Sequence, residues 1–425
     1  MKRNESEMPD FSMTDQKEAG GDVAVILTPD EKGLKKVFGI PAIRRIALLC
    51  SRNGFKDIHV VGITDPFRSV LSDLVGPEGF HAARDRESMD EIASAIRRSF
   101  ADAKRVLVTK AGLVVDKMNF LKLTGLKSKN ISYMESGGTG EGMFLCSSRH
   151  LAPVMKHLWS PGDDPEVFKG TQFVRGSSGL PCTLRGNGRD KDAENRLVDA
   201  IVDQTKGTDG FFSRHVSRHI SLLMSTRLAL TPIRPNHVTL FGAGTGLLGA
   251  LFLAQGGYLN QLVGSLLFLL CIIVDGVDGE LARLKLQESA FGHKLDIISD
   301  NIVHAAIFSG LGWGYYSQTG DSAYLYLLWA LLGGFVLSGA VVYYRVLKQP
   351  PEGSRPSRLT RVLTLMSNRD FAYLMVLLAV VGRLDWFLIG AAAGSYIFAV
   401  VLWVATCNRA GINPAMQAGS EAESP

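Results

Sequence analysis

Residues Asp275–Asp300 read DGVDGELARLKLQESAFGHKLDIISD, and the rest of the chain is organised around them. Four aspartates, Asp275, Asp278, Asp296 and Asp300, stand among residues that otherwise read as membrane-buried. On a helix of about 100° per residue, Asp275, Asp278, Gly279 and Ala282 share one arc at spacings i, i+3, i+4 and i+7. Gly292, Asp296 and Asp300 follow at i, i+4 and i+8 on a second stripe. Two helices thus each present two carboxylates beside small residues, which suits a divalent-metal site that a ligand approaches closely. An acid at mid-membrane depth costs about 2.5–3.5 kcal/mol, so four unpaired ones would cost on the order of 10 kcal/mol. Hard divalent cations with oxygen ligands are the natural compensation. Simple capping of helices at the interface is the plainer alternative, but an intramembrane acid marks function by default.

Around this stretch the composition is asymmetric: a mixed, polar first half and a second half dominated by long apolar runs. With 425 residues there is room for two or three domains. The net charge of +5 is mild and demands no nucleic-acid partner. Five cysteines (Cys50, Cys146, Cys182, Cys271, Cys407) are scattered without CxxC spacing, which argues against a disulfide framework or a zinc site and fits a reducing cytoplasmic face. Residues 1–20 carry no apolar core of a secretory signal.

In order, residues 1–21 read as a disordered tail. From residue 22 to 182 strands alternate with amphipathic helices, the pattern of a Rossmann-type α/β domain with a mostly parallel sheet. VAVILT, DIHVVGI and RVLVTKAGLVV read as strands, and PAIRRIALLCSRNG and SMDEIASAIRRSFADA as helices. Residues 183–235 form a linker and a basic amphipathic helix, FFSRHVSRHISLLMSTRLAL, whose Arg214, His215, Arg218, His219 and Arg227 are expected to face anionic head groups at the membrane surface. Six spans are expected within residues 236–408, at about 237–255, 261–281, 291–313, 323–345, 370–384 and 386–406. Residues 409–425 read as a second disordered tail. Basic residues concentrate in the second and fourth connections, so the positive-inside rule places those loops, the N-terminal domain and the aspartates on the cytoplasmic side.

The pattern Asp275–x2–Asp278–Gly279–x2–Ala282–Arg283–x8–Gly292–x3–Asp296–x3–Asp300 resembles the signature of the CDP-alcohol phosphotransferases, with all eight positions at the family's spacing. Pro235, Asn236 and Thr239 of TPIRPNHVT look like that family's approach to its first span. The resemblance implies an all-α, six-helix transmembrane domain that transfers a substituted phosphate group from a CDP-linked donor, lipid or soluble, to an alcohol, releasing CMP. It implies Asp275, Asp278, Asp296 and Asp300 as ligands of Mg²⁺ or Mn²⁺, as two ions, with Asp300 also the general base. Asp278, Gly279, Ala282, Arg283 and Gly292 would contact the nucleotide, Arg283 supporting a phosphate or the carboxylates or simply anchoring the loop by its charge. Arg358, Arg361 and Arg369 would bind an acceptor phosphate such as that of inositol phosphate or glycerol phosphate, with positive-inside loop charge as the alternative. Members are commonly homodimers.

The segment KKVFGIPAIRRIALLCSRNGFKDIHVVG resembles the opening of sugar-phosphate nucleotidyltransferases, and the fusion is similar to bifunctional inositol-phosphate cytidylyltransferase/di-inositol-phosphate-phosphate synthases. The phosphate loop departs from that pattern: TPDEKGLKK holds one glycine, Gly33, and two acids, Asp30 and Glu31. Gly-Asp is missing from the later strand, although Asp116 stands nearby. A degenerate nucleotidyltransferase-like domain, kept for structure or regulation, is therefore expected; an active cytidylyltransferase is the alternative, and a non-catalytic membrane nucleotide sensor is a third reading. SGGTGEG at 136–142 precedes an apparent strand and reads as a turn, since a phosphate cradle leads into a helix N-terminus.

Overall fold

The computed structural model describes residues 22–99, 105–126, 131–136, 141–160, 170–185, 190–205, 213–342 and 370–410. Both expected tails beyond those limits, the centre of the 136–142 run, and the basic loop with Arg358, Arg361 and Arg369 lie outside the described residues.

Among the described residues the N-terminal half builds eleven strands: β1 Asp22–Thr28, β2 Lys36–Val37, β3 Ile40–Pro41, β4 Phe55–Gly62, β5 Phe80–Ala82, β6 Val106–Lys110, β7 Leu113–Val114, β8 Ser132–Glu135, β9 Gly142–Cys146, β10 Gln172–Phe173 and β11 Cys182–Thr183. Seven form one sheet in the order β10-β8-β9-β6-β1-β4-β5, parallel except where β9 runs against β6 and β8. Strand β1 is apolar throughout because both faces are covered. Its Ala24 and Ile26 pack with α1 (Ala42–Arg52), α2 (Asp65–Leu71) and α4 (Lys117–Thr124) on one side. Its Val23, Val25 and Leu27 pack with α3 (Ser88–Ser99) and α5 (Leu151–Trp159) on the other. The glycine-rich run joins β8 to the antiparallel β9, a strand-to-strand connection.

After β1 the chain makes a short helical turn, Glu31–Leu34, capped by Asp30, whose side chain accepts from the Lys32 amide at 2.9 Å. Gly33 is pressed onto Ala111: a Cβ there would lie 2.6 Å from the Ala111 Cβ. This stretch is folded down against the turn that follows β6, and Asp30 is used in its own turn.

Helix α6 (Lys191–Thr205) leads towards the membrane-facing part. A π-helical turn at Ser213–Ser217 and α7 (Arg218–Leu228) follow, then, among the described residues, six helices: α8 Pro235–Gln255, α9 Tyr258–Leu284, α10 Ala290–Thr319, α11 Ala323–Val342, α12 Phe371–Val381 and α13 Leu384–Ala410. They fall where the six apolar runs lie. By length and composition four are fit to cross a membrane: Pro235–Gln255, Tyr258–Leu284, and stretches Ala323–Ala340 and Leu384–Val401. Helix α10 is the longest but polar in its first half, with Lys294, Asp296, Asp300 and His304, and α12 has eleven residues. The break before the last helix falls at Gly382, which caps α12 at φ +72°. Large side chains such as Leu251, Leu259, Tyr326, Trp329 and Val336 stand exposed on these helices, as a lipid-facing surface requires.

The bundle is drawn together through α8. A Cβ on Gly249 would lie 2.9 Å from the Gly264 carbonyl oxygen, one on Gly310 2.4 Å from that of Ala250, and one on Gly314 2.1 Å from that of Leu253. Small residues let backbones touch, the main source of helix association in lipid. Helices α9 and α10 each pack extensively on α8 and very little on one another.

Candidate metal centre

The last turns of α9 carry Asp275, Asp278, Gly279 and Ala282, and the first turns of α10 carry Gly292, Asp296 and Asp300. Ser289 caps α10 by accepting from the Gly292 amide at 3.0 Å. Asp275, Asp278 and Asp296 each offer a carboxylate oxygen, all within 4.8 Å of one another. Asp278 is buried and accepts a hydrogen bond from the Thr239 hydroxyl of α8. Asp275 and Asp296 are half-buried. Three hard oxygen donors at this spacing, one of them oriented by the Thr239 hydroxyl, fit a divalent cation.

Asp300 is not part of that triplet. It lines a narrow cleft with Asp275, Thr239, Gly242, Ala243, Cys271, Ser299 and Val303. Three of the four aspartates thus converge, and the fourth shares a cleft with one of them, Asp275. Gly279 faces open space, since an added Cβ would meet nothing nearer than Arg283 Nη2 at 3.8 Å. At Gly292 a Cβ would come within 3.1 Å of both Asn236 Oδ1 and Ser289 Oγ. Arg283 lines a cavity of about 170 Å³ beside Arg45, Asp116, Lys117, Gln204 and Glu288. Asp116, singled out for the N-terminal domain, caps α4 by accepting from the Met118 and Asn119 amides, and burial pushes its carboxyl up from the ordinary range.

One residue inside the signature escaped the sequence reading. Glu280 is fully buried and accepts from Arg218 Nη1 at 2.7 Å, Ser221 Oγ at 2.8 Å and Ser225 Oγ at 2.7 Å. Arg218 was expected to face head groups; its partner is this carboxylate, while Arg214, His215, His219 and Arg227 stay exposed. The serines at 221 and 225, one helical turn apart opposite the lipid-facing side, were the available signal. Nearby, the Ser213 amide donates to Asp370 Oδ1 at 2.9 Å, and Ser217 pairs with the Tyr373 hydroxyl at 2.6 Å, tying the juxtamembrane turn to the start of α12.

Residues 233–406 match the CDP-alcohol phosphatidyltransferase family, and four of the described helices there are long and apolar enough to cross a membrane. A bifunctional IPC transferase and DIPP synthase of Rubrobacter xylanophilus is 33% identical over 230 residues, 52% of this chain and 50% of that protein. Its namesake in Aquifex aeolicus is 36% identical over 228 residues, 49% of each. The chain spans about half the length of these curated relatives. Among solved structures, the Mycobacterium tuberculosis phosphatidylinositol phosphate synthase in complex with manganese and citrate aligns over 45% of this chain and 87% of its own, at 20% identity and TM-score 0.30. The family is metal-dependent.

Proposed function

We propose that the protein transfers a substituted phosphate group from a CDP-linked donor to an alcohol acceptor and releases CMP. The observation that carries this reading is the convergence of Asp275, Asp278 and Asp296 on one point beside the bare backbone of Gly279. These three carboxylates would hold Mg²⁺ or Mn²⁺, with Asp300 sharing a second ion; such ions neutralise charge on the donor's pyrophosphate. Asp300 takes the proton of the acceptor hydroxyl, the hydroxyl oxygen bonds to phosphorus, and the bond from phosphorus to the CMP oxygen breaks. Gly279, Ala282 and Gly292 leave room for the nucleotide against main chain, and Arg283 supports a phosphate or the carboxylate cluster. A phosphorylated polyol is the favoured acceptor, held by Arg358, Arg361 and Arg369. All six helices would cross the membrane, with the metal centre and the N-terminal domain on the cytoplasmic side, and the domains divide at 22–182, 183–235 and 236–408. The folded-down Glu31–Leu34 turn supports reading the N-terminal domain as a degenerate nucleotidyltransferase.

A CMP-release screen tests this: purified protein with Mg²⁺ or Mn²⁺, CDP-linked lipid and soluble donors, and inositol, inositol phosphate, glycerol phosphate or serine. CMP should appear with at least one pair, and Asp300→Asn should abolish transfer while retaining donor binding. Donor binding with no CMP from any pair would turn the reading towards a nucleotide sensor.

A further inference from the structure

The turn that joins the two metal-bearing helices, residues 285–289, is held by the other domain. Arg45 of α1 is almost fully buried, and its Nη1 donates to the Leu284 carbonyl oxygen, the last residue of α9, at 2.6 Å. A helix C-terminus presents unpaired carbonyls and the negative end of the helix dipole, so a guanidinium there is doubly suited. Burial pulls the Arg45 guanidinium down to about 10, still charged at neutral pH. Lys285 then turns back and donates to the Thr231 and Ile233 carbonyls at 2.5 and 2.7 Å. Leu286 adopts φ +50°, a left-handed conformation unusual for leucine, and is buried in the core cluster of the N-terminal domain with Ile43, Leu113 and Phe120. Lys117 and Glu288 pair across the same junction at 2.9 Å. A second cluster joins Val37, Phe38 and Ala42 to Val277, Leu281 and Leu284 of α9.

This grip matters because of where the carboxylates lie. Asp278 and Asp296 sit on different helices that pack on α8 and scarcely on each other. Their separation is therefore set by α8 and by the turn between them. Leu284 lies six residues beyond Asp278, about 9 Å along the helix. We propose that the N-terminal domain is a positioning device for the metal centre, with Arg45 as the positioning residue that fixes the end of α9 and so the spacing of Asp278 from Asp296. The inference rests on the functional reading above for its metal, and it gives the degenerate domain a task that needs no nucleotide of its own.

The test uses the full-length protein in detergent and three readouts: Mn²⁺ binding followed by electron paramagnetic resonance, Mn²⁺ dependence of CMP release, and amide exchange of residues 284–288 without metal. Arg45→Met should raise the Mn²⁺ concentration for half-saturation several-fold. It should also speed exchange in the metal-free turn and leave the donor KM unchanged at saturating Mn²⁺. Arg45→Lys, which keeps a cationic donor, should recover most of the affinity. If Arg45→Met fails to fold, Leu286→Ala decides by the same measurements. Wild-type Mn²⁺ curves and wild-type exchange in the folded variant would overturn the proposal. Wild-type protein that binds Mn²⁺ but releases no CMP would sink the functional reading alone, since the binding curves still decide the role of Arg45.

Discussion

Glu280→Gln isolates the interaction that seats α7 on the metal-bearing helix. The side chain is 0% exposed and accepts three hydrogen bonds, one from Arg218, whose own side chain is 14% exposed. Glutamine keeps the shape and one carbonyl acceptor but removes the charge facing the guanidinium. Removing one partner of a buried ion pair costs about 3–5 kcal/mol. The retained acceptor and the slight solvent access of Arg218 favour the lower end, so about 3 kcal/mol is expected. Unfolding in mixed micelles by SDS titration reads this directly, because Trp313, Trp329, Trp386 and Trp403 all lie in the bundle helices. Arg218→Met should cost a similar amount, and the double variant should be at least about 1 kcal/mol more stable than the sum predicts, since the singles each strand a polar group. Additivity within about 0.5 kcal/mol would refute the pairing as an energetic unit.

Three further outcomes follow from the geometry. Thr239→Val removes the hydroxyl that Asp278 accepts from and should weaken Mn²⁺ binding about 10- to 100-fold, with Thr239→Ser near wild type. Gly279→Ala, with open space around its Cβ, should stabilise α9 by about 0.5–1 kcal/mol while raising KM for the CDP-linked donor, whereas Gly314→Ala, 2.1 Å from a carbonyl oxygen, should destabilise the bundle by about 1–3 kcal/mol; urea-free thermal melts and donor titrations separate the two effects. His59 is pushed down to about 4 by burial and then by His81, its ring neighbour at 2.9 Å. The folded state therefore binds fewer protons than the unfolded chain, so stability is complete above about 6.5, the ordinary histidine value, and falls between that and about 4, by on the order of 3 kcal/mol. A His59→Gln variant should show a flatter pH profile of N-terminal domain unfolding.

Much of this architecture was legible in the sequence because it is local. The apolar run of β1 and the aspartate stripes each follow from period and residue type within a few positions. The carboxylate triplet was legible for the same reason: two helical stripes with known spacing need only face one another. What escaped was set by partners far away along the chain. Near Arg218 only the serines at 221 and 225 hint at Glu280, 62 residues on, and a basic amphipathic helix beside a membrane reads most simply as a head-group binder. Arg45 lies 239 residues from the carbonyl it caps, and looks like one more cation on a surface helix. Leu286 appears as an ordinary loop leucine until the second domain closes over it.

The contacts of α8 have a mechanical consequence. Where Gly249 meets Gly264, and Gly310 and Gly314 meet Ala250 and Leu253, the spacing is fixed by peptide groups, which cannot change rotamer. Towards the metal centre the contacts change character: Gly242 faces the Val274 side chain, Gly246 faces Val303 and Cys271, and Thr239 bonds Asp278. Side chains can shift where peptide groups cannot, so the far end fixes the distance between the helices and the near end is where it can be trimmed.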